Sequence, residues 1–117
     1  DGLDEISIAS PTLVTEMKYG KISEYKICPE DFNFSTSSLE GLLVKTPEES
    51  LEIAKSALKG DHEQASAMVS MAAGAALYVS DIANSLESGV DLAKSCVELG
   101  GGIEKLNQLV EFTTQIK

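Results

Sequence analysis

Two short runs of alternating polar and apolar residues lie near the start of the chain, and a helical period follows them. Residues 12–17 and 21–27 are rich in β-branched and aromatic side chains, and they flank Tyr19-Gly20. Two such runs around a glycine turn predict a β-hairpin in which Gly20 has a positive φ. Tyr19 is unusual in a tight two-residue turn, so we expect a looser loop or a bulge, in a partly exposed edge hairpin.

A further strand is expected before the hairpin. The residues that follow Glu5 alternate as a strand does, and Pro11 then breaks the run because it cannot donate to a sheet ladder. After the hairpin, residues 29–39 are expected to form a loop whose apolar side chains pin it to the core. Those side chains are Phe32, Phe34 and Leu39.

The remainder of the chain predicts four helices. Thr46 and Glu49 form a capping box around Pro47, and Gly60 ends this first helix. Its inward stripe is expected to be Leu51, Ala54 and Leu58.

The second helix, residues 65–83, is apolar on nearly every face. Such a helix is normally buried all round, so we expect it to be central, with Asp61 as its cap. Ser85 caps the third helix, and Gly100-Gly101-Gly102 separates that helix from a last amphipathic one. The inward stripe of the third helix is expected to be Leu86, Val90, Ala93 and Val97.

Composition restricts the function classes. The 117 residues suit one domain or a piece of one, and 43% hydrophobic content is that of a globular chain. A net charge of −10 disfavours nucleic acid as a partner. The longest apolar run, within residues 68–79, is too short to cross a membrane. Distant Cys28 and Cys96 favour reduced thiols in the cytoplasm, with a single disulfide as the alternative.

The chain begins with acidic residues where a signal peptide would be basic, and it has no initiator Met. We therefore expect it to be the interior of a longer protein.

Three carboxylates, Asp1, Asp4 and Glu5, lie within the first five residues around a glycine turn. Neighbouring side chains in a regular strand point to opposite faces, but at a strand end both can reach one cleft. Mg²⁺ usually takes one or two protein carboxylates together with waters and substrate phosphates. We therefore interpret Asp4 and Glu5 as candidate Mg²⁺ ligands at the end of a strand. The alternative is that this acidic dipeptide is solvated surface.

Other candidate sites each have a simpler structural explanation. His62 is the only histidine and has no Cys or His beside it at metal-ligand spacing. The hydroxyls of residues 35–38 could bind phosphate, but they also suit turns and caps. The three glycines at residues 100–102 resemble a phosphate loop, but no strand precedes them and a helix break is the simpler interpretation. Neither a nucleophile with its base nor a Walker A motif is visible in the sequence.

Taken together, several segments resemble the C-terminal part of the anthranilate phosphoribosyltransferase family. The resemblance covers essentially the whole chain in the right order, and the spacing from DGLDE to PEDF is its most specific feature. The matching segments are DGLDEIS (1–7), PT (11–12), KISEY (21–25), PEDF (29–32), AAGAALYV (72–79) and SLESGV (85–90). The chain departs from the family at Ala72, where Asn is common, and at residues 99–102, where a lysine-containing turn is common.

The resemblance implies an α/β fold: the C-terminal part of a nucleoside phosphorylase/phosphoribosyltransferase-type domain. In isolation this segment would be α+β, with a strand, a β-hairpin and four helices. By the resemblance, residues 1–117 are the C-terminal segment of the catalytic domain, and the N-terminal helical domain and the upstream half of the site are absent.

The resemblance also implies a chemistry. Asp4 and Glu5 would bind the Mg²⁺ that carries phosphoribosyl diphosphate, and Asp1 is a weaker candidate, acting through water. The full-length enzyme would be a homodimer that transfers phosphoribosyl to anthranilate in tryptophan biosynthesis. The fragment alone is expected to be inactive, and it contains no catalytic residue of its own. The alternatives are a pyrimidine-nucleoside phosphorylase and a non-enzymatic, nucleic-acid-binding paralogue of the same fold.

Overall fold

A computed structural model describes residues 1–116. It contains one two-stranded antiparallel sheet, two short 3-10 helices and four α-helices. The strands are β1 (Thr12–Lys18) and β2 (Lys21–Ile27). The helices are α1 (Pro47–Lys59), α2 (Glu63–Val79), α3 (Leu86–Glu98) and α4 (Gly101–Gln115). The hairpin, the four helices and the α/β type of fold expected from the sequence are confirmed.

The hairpin turn is tighter than expected. Lys18 pairs directly with Lys21, so the loop contains only Tyr19 and Gly20. Both residues have positive φ, 52° and 75°. This is the conformation that matches the twist of the two strands in a two-residue hairpin. The expected looser loop is therefore wrong, because Tyr19 adopts the left-handed conformation, which is uncommon for its residue type.

No strand forms over residues 1–11, so the strand expected before the hairpin is wrong. A strand needs the hydrogen bonds of a neighbouring strand, and among the described residues β1 pairs only with β2. The segment is instead a folded loop held to the core. Ile8 is buried, and its carbonyl accepts a hydrogen bond from the Ser37 amide at 3.0 Å.

The core lies between the base of the hairpin, the loop after it and one face of α2. Its buried members come from these three regions, from the segment before the hairpin and from α3: Ile8, Ile27, Phe32, Ala67, Met71 and Val90. Phe34 and Leu39 pack against this cluster, which confirms that the loop is pinned by its apolar residues. The position of α3 over the same cluster confirms its expected stripe, since Val90, Ala93 and Val97 are buried and Leu86 is half-buried.

The central helix α2 is buried on one side only. Met71 and Gly74 are buried against α3, whereas Ala72, Ala73 and Ala76 are exposed. The expectation of burial all round is therefore wrong for the described residues. The helix also ends at Val79 and not at residue 83, because the backbone turns at Asp81 with a positive φ of 59°.

Helix α1 shows two further differences. Thr46 caps it as expected, its hydroxyl accepting from the Glu49 amide at 3.1 Å, but the Glu49 carboxylate accepts from Lys45 instead of Thr46. The buried face is centred on Ala57, whereas Leu51 and Ala54 are exposed. The expected stripe is therefore wrong except at Leu58, which is half-buried. The face of α1 that packs on the rest of the fold is the one that carries Ala57.

His62, not Asp61, caps α2. Its Nδ1 accepts from the Ala65 amide at 3.3 Å, and its Nε2 lies 3.3 Å from the Gly41 carbonyl oxygen. These contacts give His62 a structural role at a helix start. In the part of the chain that the structure describes, no helix combines the length and apolarity that crossing a membrane requires.

Candidate functional site

The acidic loop, residues 1–10, is folded around the carboxylate of Asp1. One carboxylate oxygen accepts from the Leu3 amide at 3.1 Å. The other accepts from the hydroxyl of Ser10 at 3.0 Å and from the hydroxyl of Ser7. A carboxylate that accepts several hydrogen bonds fixes the backbone that carries the donors. Asp1 therefore gives the loop its shape.

Ser7 joins this loop to the hairpin. It is only 3% exposed, and its hydroxyl accepts from the Ala9 amide at 3.0 Å while donating to Asp1. Its own amide donates to the Thr12 hydroxyl, at the first residue of β1, at 3.2 Å. The loop is thus held at one end by the hairpin and closed at the other by Asp1.

Asp4 and Glu5 lie between these two fixed points, in a bend, and both are exposed. The side-chain hydrogen bonds that shape the acidic loop run through Asp1, Ser7, Ser10 and Thr12, and none of them uses the Asp4 or Glu5 carboxylate. The structure therefore presents two adjacent carboxylates to solvent on a loop whose ends are anchored.

The donor chemistry of this pair suits Mg²⁺, which prefers oxygen ligands and keeps several waters. The third carboxylate of the loop, that of Asp1, already accepts hydrogen bonds from Leu3, Ser7 and Ser10. Among the described residues no group of three or more Asp, Glu, His or Cys side chains could hold a metal ion. Two carboxylates are a number that Mg²⁺ takes from a protein when waters and substrate phosphates supply its remaining ligands.

The sequence did not reveal the link between Asp1, Ser7 and Ser10. One local signal was present, since Asp followed by Gly commonly forms a turn closed by the aspartate side chain. The serine partners lie six and nine residues further on, at no regular spacing. Only the folded backbone brings them to the carboxylate.

A second polar cluster, also missed, joins the hairpin to α2. The Tyr78 hydroxyl donates to one Glu16 oxygen at 2.5 Å, and the Tyr25 hydroxyl donates to the other at 3.1 Å. The Lys18 ammonium donates to the Tyr78 hydroxyl at 2.9 Å. The bond from Tyr78, followed by that from Tyr25 and the nearby Lys18 charge, holds the pKa of Glu16 below its ordinary value, although partial burial opposes this.

The other candidate segments are structural here. Gly100 has a positive φ of 78° and is the N-cap that precedes α4, so the glycine run is a helix break. Within residues 35–38, the Ser38 hydroxyl accepts from the Glu40 amide at 3.1 Å, which is a local turn contact. The Ser37 hydroxyl is buried and has no hydrogen-bond partner among the described residues.

The hairpin, the helical layer and the acidic loop together match one class of α/β transferase domain. The family model described as "Glycosyl transferase family, a/b domain" matches residues 1–103, and the chain belongs to this family.

Within that family, the chain is similar to anthranilate phosphoribosyltransferases, so the resemblance seen in the sequence is confirmed. It is 50% identical to the anthranilate phosphoribosyltransferase of Ectopseudomonas mendocina (strain ymp), over 100% of this chain and 35% of that protein. The crystal structure of the Thermus thermophilus anthranilate phosphoribosyltransferase superposes with a TM-score of 0.81 at 30% identity, over 96% of this chain and 33% of that one.

A variant of the Saccharomyces cerevisiae enzyme with Mg bound shares the fold, with a TM-score of 0.73. Its identity to this chain is 18%, over 94% of this chain and 32% of that one, so this likeness concerns the fold alone. The chain spans about a third of the length of the curated relatives it matches.

Proposed function

We propose that this chain is part of an anthranilate phosphoribosyltransferase. The observation that carries the proposal is the 50% identity to such an enzyme along the whole chain. The reaction would join the amino nitrogen of anthranilate to C1 of phosphoribosyl diphosphate and release diphosphate. Because the chain spans a third of its relatives' length, it would need the other two thirds for turnover.

In this proposal Asp4 and Glu5 hold the metal. Their adjacent, exposed carboxylates supply two oxygen ligands of the kind that Mg²⁺ prefers. When bound, Mg²⁺ would neutralise charge that develops on the departing diphosphate. The part of this chain is to present the two carboxylates at a fixed position and to leave the remaining ligand positions to water and substrate.

Asp1 would act mainly through the loop. Its carboxylate holds Leu3, Ser7 and Ser10, so it sets the backbone path that carries Asp4 and Glu5. A water-mediated contact with the cation stays a prediction for the same carboxylate. By the same proposal, the chain forms the C-terminal segment of the catalytic domain, in a cytoplasmic enzyme that is a homodimer at full length.

The test is a pair of neutral substitutions, Asp4→Asn with Glu5→Gln, in the full-length protein. Both keep side-chain size and remove the charge that binds the cation. We expect kcat/KM for phosphoribosyl diphosphate to fall about a hundredfold, a loss of the size that a metal's charge stabilisation supports. Added Mg²⁺ should restore part of the rate if the affinity for the metal is what has been lost.

The matched control removes two carboxylates elsewhere, Asp91→Asn with Glu98→Gln, since both residues are exposed on α3. This variant should retain the wild-type rate. Mn²⁺ provides a readout that is independent of turnover, because it binds oxygen ligands and broadens nearby NMR signals. Broadening in wild type that is strongest at the amides of residues 3–6 and weakens with distance from them, and that is absent in the double variant, is the expected result. Wild-type rates across Mg²⁺ concentrations would contradict the assignment of Asp4 and Glu5.

A further inference from the structure

The two halves of the hairpin are attached to the molecule in different ways. At its base, Ile27 is 6% exposed and belongs to the core, and Val14 and Tyr25 pack against that core. Towards the turn, the inward-facing side chains of β1 are the charged Glu16 and Lys18, whereas Met17 lies on the outward face and is 76% exposed. Apolar packing therefore holds the base and leaves the turn half to other forces.

Polar side chains supply the attachment of the turn half. Among residues 1–116, the side-chain hydrogen bonds that join the strands to the helices all end at the hydroxyl of Tyr78 on α2. This hydroxyl donates to Glu16 at 2.5 Å and accepts from Lys18 at 2.9 Å. The Lys18 ammonium also lies 4.4 Å from the centre of the Tyr78 ring. The Tyr78 hydroxyl thus forms hydrogen bonds with both charged, inward-facing residues of β1, Glu16 and Lys18.

We propose that Glu16, Lys18, Tyr25 and Tyr78 form a latch that fixes the turn half of the hairpin on α2, with the Tyr78 hydroxyl as its single helical attachment point. An isolated two-stranded hairpin is marginally stable in water, so the turn half depends on this contact for its position. With the latch open, the base stays packed while residues 17–24 move independently of the helices.

The charges of the latch define the pH range in which it is closed. Hydrogen bonding from Tyr78 first, and then from Tyr25, holds the pKa of Glu16 below its ordinary 4.5, and hydrogen bonding to Tyr78 raises the pKa of Lys18 above 10.5. Burial, and then the Glu16 carboxylate, raise the pKa of Tyr25. A lowered carboxyl pKa means that the bonds to Glu16 are complete above pH 4.5 and are lost as the pH falls through the lowered value. Tyr19 and Asp81 also line the groove that these residues form.

The corresponding limit for Lys18 lies at alkaline pH. A raised ammonium pKa means that its bond is complete below pH 10.5 and is lost as the pH rises through the raised value. The latch is therefore closed throughout the neutral range, and acid is the simpler way to open it.

The decisive variant is Tyr78→Phe, which removes both hydrogen bonds and keeps the ring. Amide hydrogen exchange, measured by NMR on the intact protein at a fixed pH, should become about three- to tenfold faster for residues 17–24, the range that one solvent-screened hydrogen bond supports. Exchange in α2 and α3 should not change. Tyr25→Phe should give a smaller acceleration, because its bond to Glu16 stays within the hairpin. Tyr19→Phe, at a side chain 92% exposed, is the control and should have no effect.

Two outcomes would overturn the proposal. Exchange rates in Tyr78→Phe equal to those in Tyr19→Phe would mean that apolar packing at the base holds the whole hairpin. Equal acceleration in α2, α3 and the hairpin would mean that Tyr78 supports global stability and not a local attachment.

A pH titration tests whether the Glu16 carboxylate is part of the latch, which a purely structural role of Tyr78 would not require. The amide of Ser23, which pairs with Glu16, should shift in wild type as the pH falls below 4.5, and this step should vanish in Glu16→Gln. A wild-type titration without such a step, or one that persists in Glu16→Gln, would also refute the proposal.

Discussion

Two regions of the molecule are held in place in different ways. Helices α2 and α3 contact each other through their backbones, whereas side-chain hydrogen bonds hold the acidic loop and the turn half of the hairpin. Where α2 meets α3, the two backbones touch at glycines. A Cβ at Gly74 would lie 2.5 Å from the amide nitrogen of Val90, and one at Gly89 would collide with the Gly74 carbonyl oxygen. The acidic loop and the turn half of the hairpin are held instead by side-chain oxygens, on Asp1, Ser7 and Glu16.

The difference predicts how each region responds to change. A backbone contact is set by shape, and because folded interiors are close-packed, one added methyl group must displace a helix. A network of hydroxyls and carboxylates can lose one bond while the surrounding backbone keeps its path. Stability should therefore be concentrated in the helical layer, while the region that carries the candidate metal ligands can be loosened without unfolding the molecule.

The largest effect is expected from Gly89→Ala. Its Cβ meets backbone, which cannot rotate away, so α3 must shift from α2 and the free energy of unfolding should fall by about 3 kcal/mol. Urea denaturation measures this change. Gly41→Ala is the control, since its Cβ meets only the end of the Gln64 side chain, at 2.5 Å, and that side chain can move. Equal stability of the two variants would contradict the picture of a shape-determined interface.

The helical layer was largely predictable because its signals are local. Thr46, Gly60 and Ser85 marked helix ends through caps that depend on a few neighbouring residues. The buried side of α2 was not predictable, because nearly all of its side chains are small or apolar and periodicity cannot distinguish one face from another. The choice of Ala57 over Ala54 as the buried alanine of α1 likewise depends on where α2 lies.

The next largest effect is expected from Ser7→Ala, which tests the acidic loop. It removes a donor to Asp1 and the acceptor of the Ala9 amide in a residue 3% exposed, so stability should fall by about 1–2 kcal/mol. NMR shifts of residues 1–10 should change while those of α2 and α3 stay the same. Ser35→Ala, at an exposed serine, should have no measurable effect. Shift changes that spread into α3 would contradict the separation of the two regions.

The geometry of the acidic loop could not be predicted from the sequence. Asp4 and Glu5 were identified as candidate ligands from their residue types and from a family resemblance, and that assignment stays a prediction; the structure shows that both are exposed. The strand expected around them does not form, and the carboxylate that organises the loop is that of Asp1. Hydrogen bonds between residues six to nine positions apart leave no periodic trace, so no sequence pattern could have shown them.

A smaller loss is expected from Thr46→Ala, a polar contact within the helical layer itself. The Thr46 hydroxyl accepts from the Glu49 amide at 3.1 Å, and loss of such a cap costs about 1 kcal/mol. Thr46→Ser keeps the oxygen and should retain most of the stability. Urea denaturation of both variants provides the comparison. If Thr46→Ala lowered the free energy of unfolding as much as Gly89→Ala, a helix cap would contribute as much to stability as the backbone contact of α2 with α3, and the contrast between the two would be wrong.

The smallest effect concerns Glu30, which closes the loop between the hairpin and α1. Its carboxylate accepts from the Thr36 amide at 2.9 Å. Hydrogen bonding from the Thr36 side chain, followed by the backbone amides of Glu30 and Thr36, holds the pKa of Glu30 below its ordinary 4.5. These bonds are therefore complete above pH 4.5 and are lost as the pH falls through the lowered value.

Because Glu30 is exposed, solvent screens these bonds and their loss should alter the loop without a measurable change in global stability. The amide shift of Thr36 should move with pH below 4.5 in wild type and stay constant in Glu30→Gln. Glu40→Gln, at another exposed carboxylate of the same loop, should leave the transition in place. If the amides of α2 and α3 moved together with Thr36, acid would be acting on the whole fold. The surface contact between Glu30 and Thr36 would then be coupled to the contact of α2 with α3 at Gly74 and Gly89, and the two regions would not be independent.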